Sequence, residues 1–144
     1  MKKLMTKLTI AVAALVVTAG AASAQIQTTM TAQIPFEFRV GNQILAPGMY
    51  TVDRLVQSSA PVFRLLDMHA RQSVILLPQA KVDPKTGWVE GKAKLVFACA
   101  GGSCTIAELW AGSESYAYAF SRPKLGKGEE AYLREIPLQP RKGE

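Results

Sequence analysis

From Thr28 onward, apolar and polar residues alternate with period two in short runs, the pattern of half-buried β-strands. Gly, Pro, Asn and Asp interrupt these runs every 8 to 14 residues or so. The pattern predicts strands over Thr28–Ile34, Phe36–Val40, Met49–Val56, Val62–Met68, Ser73–Ala80, Lys92–Ala100, Cys104–Trp110, Ser115–Phe120 and Tyr132–Pro137. No stretch shows a sustained helical stripe. Gly128–Ile136 comes nearest, because Glu129, Glu130, Ala131, Leu133, Arg134 and Glu135 are good helix formers; one short C-terminal helix is allowed there.

Turn chemistry separates the strands. Ala46-Pro47-Gly48-Met49 predicts a type II turn, with Pro presetting the second position and Gly free to take a positive φ at the third. Asp83-Pro84-Lys85-Thr86-Gly87 predicts another turn, and Gly41-Asn42 separates Val40 from Ile44. Short connections make consecutive strands antiparallel neighbours. The fold class is therefore all-β and mainly antiparallel, a single-domain β-sandwich or small β-barrel.

Ahead of this pattern stands a different one. Lys2, Lys3 and Lys7 precede the uncharged run Leu8–Gly20, and Ala22-Ser23-Ala24 follows with small side chains. This is the order of a secretory signal peptide, with cleavage expected between Ala24 and Gln25. The 13-residue run is shorter than the roughly 20 residues of a membrane-spanning helix, so no stable anchor is expected after cleavage. The expected layout is a leader over 1–24, a β domain over 25–138 and a frayed tail over 139–144, and the destination is the periplasm or the exterior.

Removing the leader changes the charge. The whole chain carries 17 Lys and Arg against 11 acids; the leader holds three of the bases and none of the acids, so 14 remain against 11, a net of +3. These bases are scattered among acids and strands rather than gathered in a stripe, which argues against nucleic-acid binding.

Cys99 and Cys104 flank Ala100-Gly101-Gly102-Ser103, a spacing that suggests a four-residue hairpin loop with the two Cys facing each other. In that register Phe97 opposes Ile106 and Leu95 opposes Glu108. A structural disulfide is expected in an exported chain. The alternatives are weaker: a redox pair favours two intervening residues and a helix N-terminus, and a zinc site needs about four ligands where His69 is the single histidine. No cofactor or metal is implied.

The candidate binding residues are Glu108, Trp110, Tyr116 and Tyr118. The inferred register puts Glu108 on the apolar face with Cys104, Ile106 and Trp110, where a carboxylate must find a partner; Arg39 or Arg64 could supply it. Its roles are a salt bridge or a polar anchor in a ligand cavity. Tyr116, Tyr118 and Phe120 share one strand face, as core or, with Trp110 or Trp88 nearby, as a sugar-stacking row. His69 reads as a solvated loop residue, and Ser113 lacks the strand-turn-helix context of a nucleophile elbow.

The run Ile34-Pro35-Phe36-Glu37-Phe38-Arg39-Val40-Gly41-Asn42, followed by Leu45-Ala46-Pro47-Gly48-Met49-Tyr50-Thr51-Val52, resembles the opening of a group of short exported proteins common in acidobacterial genomes. Lys94-Leu95-Val96-Phe97 and Ala107-Glu108-Leu109-Trp110 are similar to later segments of that group. The resemblance implies export and a β fold and transfers no site. The expectation is an exported, soluble, non-enzymatic domain with an envelope or interaction role and an envelope or extracellular partner. The alternatives are a small-ligand or glycan-binding module and, behind that, a hydrolase.

Overall fold

The structure is a computed structural model that describes residues 29–56 and 60–141. The predicted leader, the Ala24/Gln25 cleavage site and the start of the first predicted strand lie outside those residues. Twelve strands are described: β1 Met30–Ile34, β2 Phe38–Val40, β3 Gln43–Leu45, β4 Gly48–Val56, β5 Val62–Asp67, β6 Ser73–Leu76, β7 Ala80–Val82, β8 Lys94–Ala100, β9 Ser103–Trp110, β10 Ala117–Ala119, β11 Tyr132–Pro137 and β12 Gln139–Pro140. They form two sheets. One runs β12-β1-β4-β5-β6; the other runs β11-β8-β9-β10-β7, with β2 beside β9 and β3 beside β2. Pairing is antiparallel except at the single β2–β9 bridge, Arg39 to Thr105. The architecture is a β-sandwich rather than a closed barrel.

Alternation builds the core directly. Ala32, Ile34, Tyr50, Val52, Phe63 and Leu65 face inward from the first sheet and Leu95, Phe97, Cys99, Ile106, Leu109 and Tyr118 from the second. Aromatic rings join the layers. Phe38 meets Tyr50 at 5.2 Å and Phe97 at 5.3 Å between centroids, Phe36 meets Phe97 at 5.0 Å, and Phe63 meets Tyr118 at 5.2 Å, all edge to face, the geometry ring quadrupoles prefer.

Four expectations are corrected. The allowed helix over Gly128–Ile136 does not form: Tyr132–Pro137 pairs along its length with β8, because Ile136 gains a place in the core that an exposed helix could not offer. Gly48 does not take a positive φ. It opens β4 opposite Ile34, and extended pairing replaces the expected type II turn. The single predicted strand Ser73–Ala80 is two strands in different sheets, since Leu77-Pro78-Gln79 carries the chain from the edge of one to the edge of the other. Gln139 and Pro140, expected to fray, pair with Thr31 and Met30.

Asp67 caps the β5–β6 connection, its Oδ1 accepting from the backbone N–H of His69 at 2.9 Å and of Ala70 at 3.1 Å. The Ala70 N–H, followed by that of His69, holds the Asp67 carboxyl below its usual range despite burial, which opposes the shift. Beside it the buried Tyr50 hydroxyl donates to the Ala46 carbonyl, and burial together with the charge of Asp67 pushes its pKa up to about 12. A carboxyl whose folded pKa is depressed stabilises the fold above its unfolded pKa and loses that contribution as pH falls through the folded value. Asp67→Asn is therefore expected to cost about 1 kcal/mol at pH 7, with the gap to wild type beginning to close near the ordinary carboxyl value of about 4 and closing further as the pH falls through the depressed folded value. Thermal melts over that fall in pH check this, and a gap that does not change with pH would refute it.

Candidate functional site

The β8–β9 hairpin organises one end of the second sheet. Ala100 pairs with Ser103 and Cys99 with Cys104, so the loop is not the expected four residues but two, Gly101 and Gly102, with φ of 58° and 79°. Two consecutive positive φ values make a type I′ turn, whose twist matches that of paired strands. The cysteines are joined as a disulfide, buried in the core. The bond suggests an oxidising, extracytoplasmic environment.

Further along the hairpin the expected register breaks. Phe97 opposes Ile106 as predicted, but Val96 opposes Glu108 and Leu95 opposes Leu109, so Ala107 is an extra residue on β9. A bulge reverses the alternation beyond it. Leu109 turns into the core, and Glu108 and Trp110 turn to the outer face. Glu108 does not lie with Cys104 and Ile106, and neither proposed partner reaches it: Arg64 binds Asp53 at 2.9 Å, while Arg39 sits beside Thr105. Its partner is Arg122, at 3.2 Å. Only 8% of Glu108 is exposed, and its Oε2 is buried with no hydrogen-bond partner among the described residues.

The bulge also divides the aromatic candidates. Tyr118 is buried against Phe63 on the inner face, with Tyr116 packed on it at 5.4 Å. Trp110 is buried on the outer face, stacked on Trp88 at 5.4 Å, its Nε1 donating to the Glu114 carbonyl at 3.0 Å. Tyrosines and tryptophans thus do not form one exposed platform. At the sandwich end Arg54 binds Glu114 at 2.8 Å and donates to the Tyr118 hydroxyl at 3.2 Å, beside a cleft of about 190 Å³ lined also by Met30 and Ser113. Burial and the Tyr116 hydroxyl raise the Tyr118 pKa, keeping it neutral.

His69 follows β5 near Met49, whose carbonyl accepts from the N–H of Met68; Ser113 lies beside Arg54. Five residues of extended β4 separate those ends by roughly 17 Å, so His69 and Ser113 do not form a nucleophile and base pair. Among the described residues no group of three or more His, Cys, Asp or Glu could hold a metal ion, and no helix is long and apolar enough to cross a membrane.

A concavity of about 690 Å³ lies on the outer face of the second sheet at the disulfide end. Its floor is Ala98, Ala100 and Thr105, and its walls include Arg39, Arg122 and Lys124. The floor is recessed because the outward positions of β8 change from Lys94 and Val96 to the small Ala98 and Ala100. One wall is the loop after β10. Phe120 N–H ties it to the Ala107 carbonyl at 2.8 Å, and Gly126 and Glu129 close a turn in which the Glu129 N–H donates to the Gly126 carbonyl at 3.0 Å. The Glu129 carboxylate in return accepts from the Gly126 N–H at 3.2 Å. Sequence reasoning missed this groove. Two outward alanines, Ala98 and Ala100, following the larger outward Lys94 and Val96 on β8, were its one local signal.

Comparison with known proteins finds no family model that matches the chain, no matching curated protein and no matching solved structure. The groove is the candidate site on geometry alone.

Proposed function

We propose that this chain is exported by cleavage between Ala24 and Gln25 and works in the periplasm or outside the cell as a soluble, non-enzymatic recognition domain. Its contact surface is the groove over Ala98 and Thr105, and its partner belongs to the envelope or the extracellular surroundings. The observation that supports this reading most strongly is the groove itself: about 690 Å³ falls in the range of small-ligand sites, roughly 300–1,000 Å³. It is mounted on a disulfide-pinned hairpin, so the floor is fixed before a ligand arrives. The separation of His69 from Ser113 favours recognition over hydrolysis.

Two measurements test the proposal. Mass spectrometry of the exported product should show a chain beginning at Gln25 with no alkylatable thiol; retention of residues 1–24, or two reactive thiols, would refute the export reading. Ala98→Phe fills the floor of the groove from its outward face and should abolish retention of the exported domain on isolated cell-envelope material while its melting temperature stays within a few degrees of wild type. Undiminished retention would remove the groove from the proposal.

A further inference from the structure

Charge in the groove is unbalanced. Arg39, Arg122 and Lys124 line it against a single lining carboxylate, Glu129, and that carboxylate already accepts from the Gly126 N–H. Neither Arg39 nor Lys124 has an ion-pair partner among the described residues. Arg122 is different in kind. Its Nη2 binds the buried Glu108, which anchors the guanidinium from behind, while 43% of the side chain stays exposed at the groove wall. A guanidinium carries five N–H donors in a planar fork. One is used on Glu108, and the remaining donors can serve a ligand.

Between these cations the lining mixes the polar Asn42, Ser103, Thr105 and Ser121 with the small Ala98 and Ala100. Hydroxyl and amide groups both donate and accept hydrogen bonds, which suits a ligand dense in hydroxyls. Leu125 is the single large apolar residue of the lining, so the groove offers little to a peptide that must bury side chains. Cations complement carboxylate or phosphate, preferentially through paired N–H bonds from arginine.

Resting on the reading of the groove as the contact surface, we infer that its ligand is an acidic saccharide: a hydroxyl-rich sugar chain whose carboxylate or phosphate groups pair with Arg39, Arg122 and Lys124. Carboxylated and phosphorylated sugars share this chemistry, and the test separates them.

The exported product is titrated calorimetrically with a galacturonic-acid oligosaccharide, a phosphorylated oligosaccharide, a neutral oligosaccharide of equal length and an oligoglutamate peptide. Binding is expected for the carboxylated sugar, the phosphorylated sugar or both, at least about tenfold tighter than for the neutral sugar and weakening as salt is raised from 50 mM to about 500 mM. The double variant Arg39→Gln, Lys124→Gln leaves Arg122 in place to neutralise Glu108. It should keep the wild-type melting temperature and lose at least about tenfold in affinity. Equal binding of the neutral sugar, oligoglutamate bound as tightly as the acidic sugars, no binding to any of the four, or an unaffected double variant would each overturn the inference. The failures are separable. Loss of envelope retention in Ala98→Phe with no acidic-sugar binding removes the ligand class and leaves the recognition domain standing; unchanged retention removes both.

Discussion

Phe97→Ala is expected to destabilise the domain by about 3–5 kcal/mol, the range for truncating a buried aromatic ring, and to lower the melting temperature by roughly 10–20 °C. Phe97 is fully buried and touches two other rings, Phe36 at 5.0 Å and Phe38 at 5.3 Å. Phe38 in turn contacts Tyr50 of the opposite sheet. Removing the ring costs its transfer free energy, leaves a cavity and unseats the aromatic chain that ties the two layers together. Leu77→Ala is the control, since Leu77 is 64% exposed and should change stability by no more than about 0.5 kcal/mol. Chemical denaturation of both variants decides the matter. Equal effects would mean that the core is not centred on Phe97.

The second large effect is expected from Cys99→Ala with Cys104→Ala. Closing so short a loop stabilises by about 2 kcal/mol in the chain-entropy model, and the two sulfur side chains add burial, Cys99 being 1% and Cys104 6% exposed. The total is about 3 kcal/mol. The Gly101-Gly102 turn and the pairing on both sides of it should still form the hairpin, so the expected result is a folded domain of lower melting temperature. Reductant should lower wild type towards the variant and leave the variant unmoved. A double variant with the wild-type melting temperature would show that pairing alone holds the hairpin. The groove stands on the same hairpin, so a looser hairpin should also weaken the binding proposed for it.

Glu108 shows how far a local pattern reaches. Its strand, its neighbours and the opposition of Phe97 to Ile106 follow from alternation and from the cysteine spacing. One extra residue at Ala107 then turns Glu108 to the outer face, towards Arg122. Nothing local distinguishes that residue, because an alanine is as acceptable in a regular strand as in a bulge; the bulge becomes favourable only once Leu109 can reach the core and the Ala107 carbonyl can accept from Phe120. β6 and β7 differ. Pro78, with no N–H to pair, was a local break in the run Ser73–Ala80; only the passage from one sheet to the other needed the tertiary structure.

By itself the sequence determined the all-β class, most strand positions, the hairpin and its disulfide partners, since each depends on residues within a few positions of one another: period-two alternation, turn-forming Gly, Asn and Asp, and two cysteines across a short loop. Tertiary structure alone decided sandwich over barrel, the outward face of Glu108, the division of tyrosines from tryptophans and the existence of the groove. Arg39 comes from β2, Ala98 from β8, Thr105 from β9, and Arg122 and Lys124 from the loop after β10. A concavity built from four separate segments depends on how their faces meet in space, and side-chain period along any one of them holds no record of that.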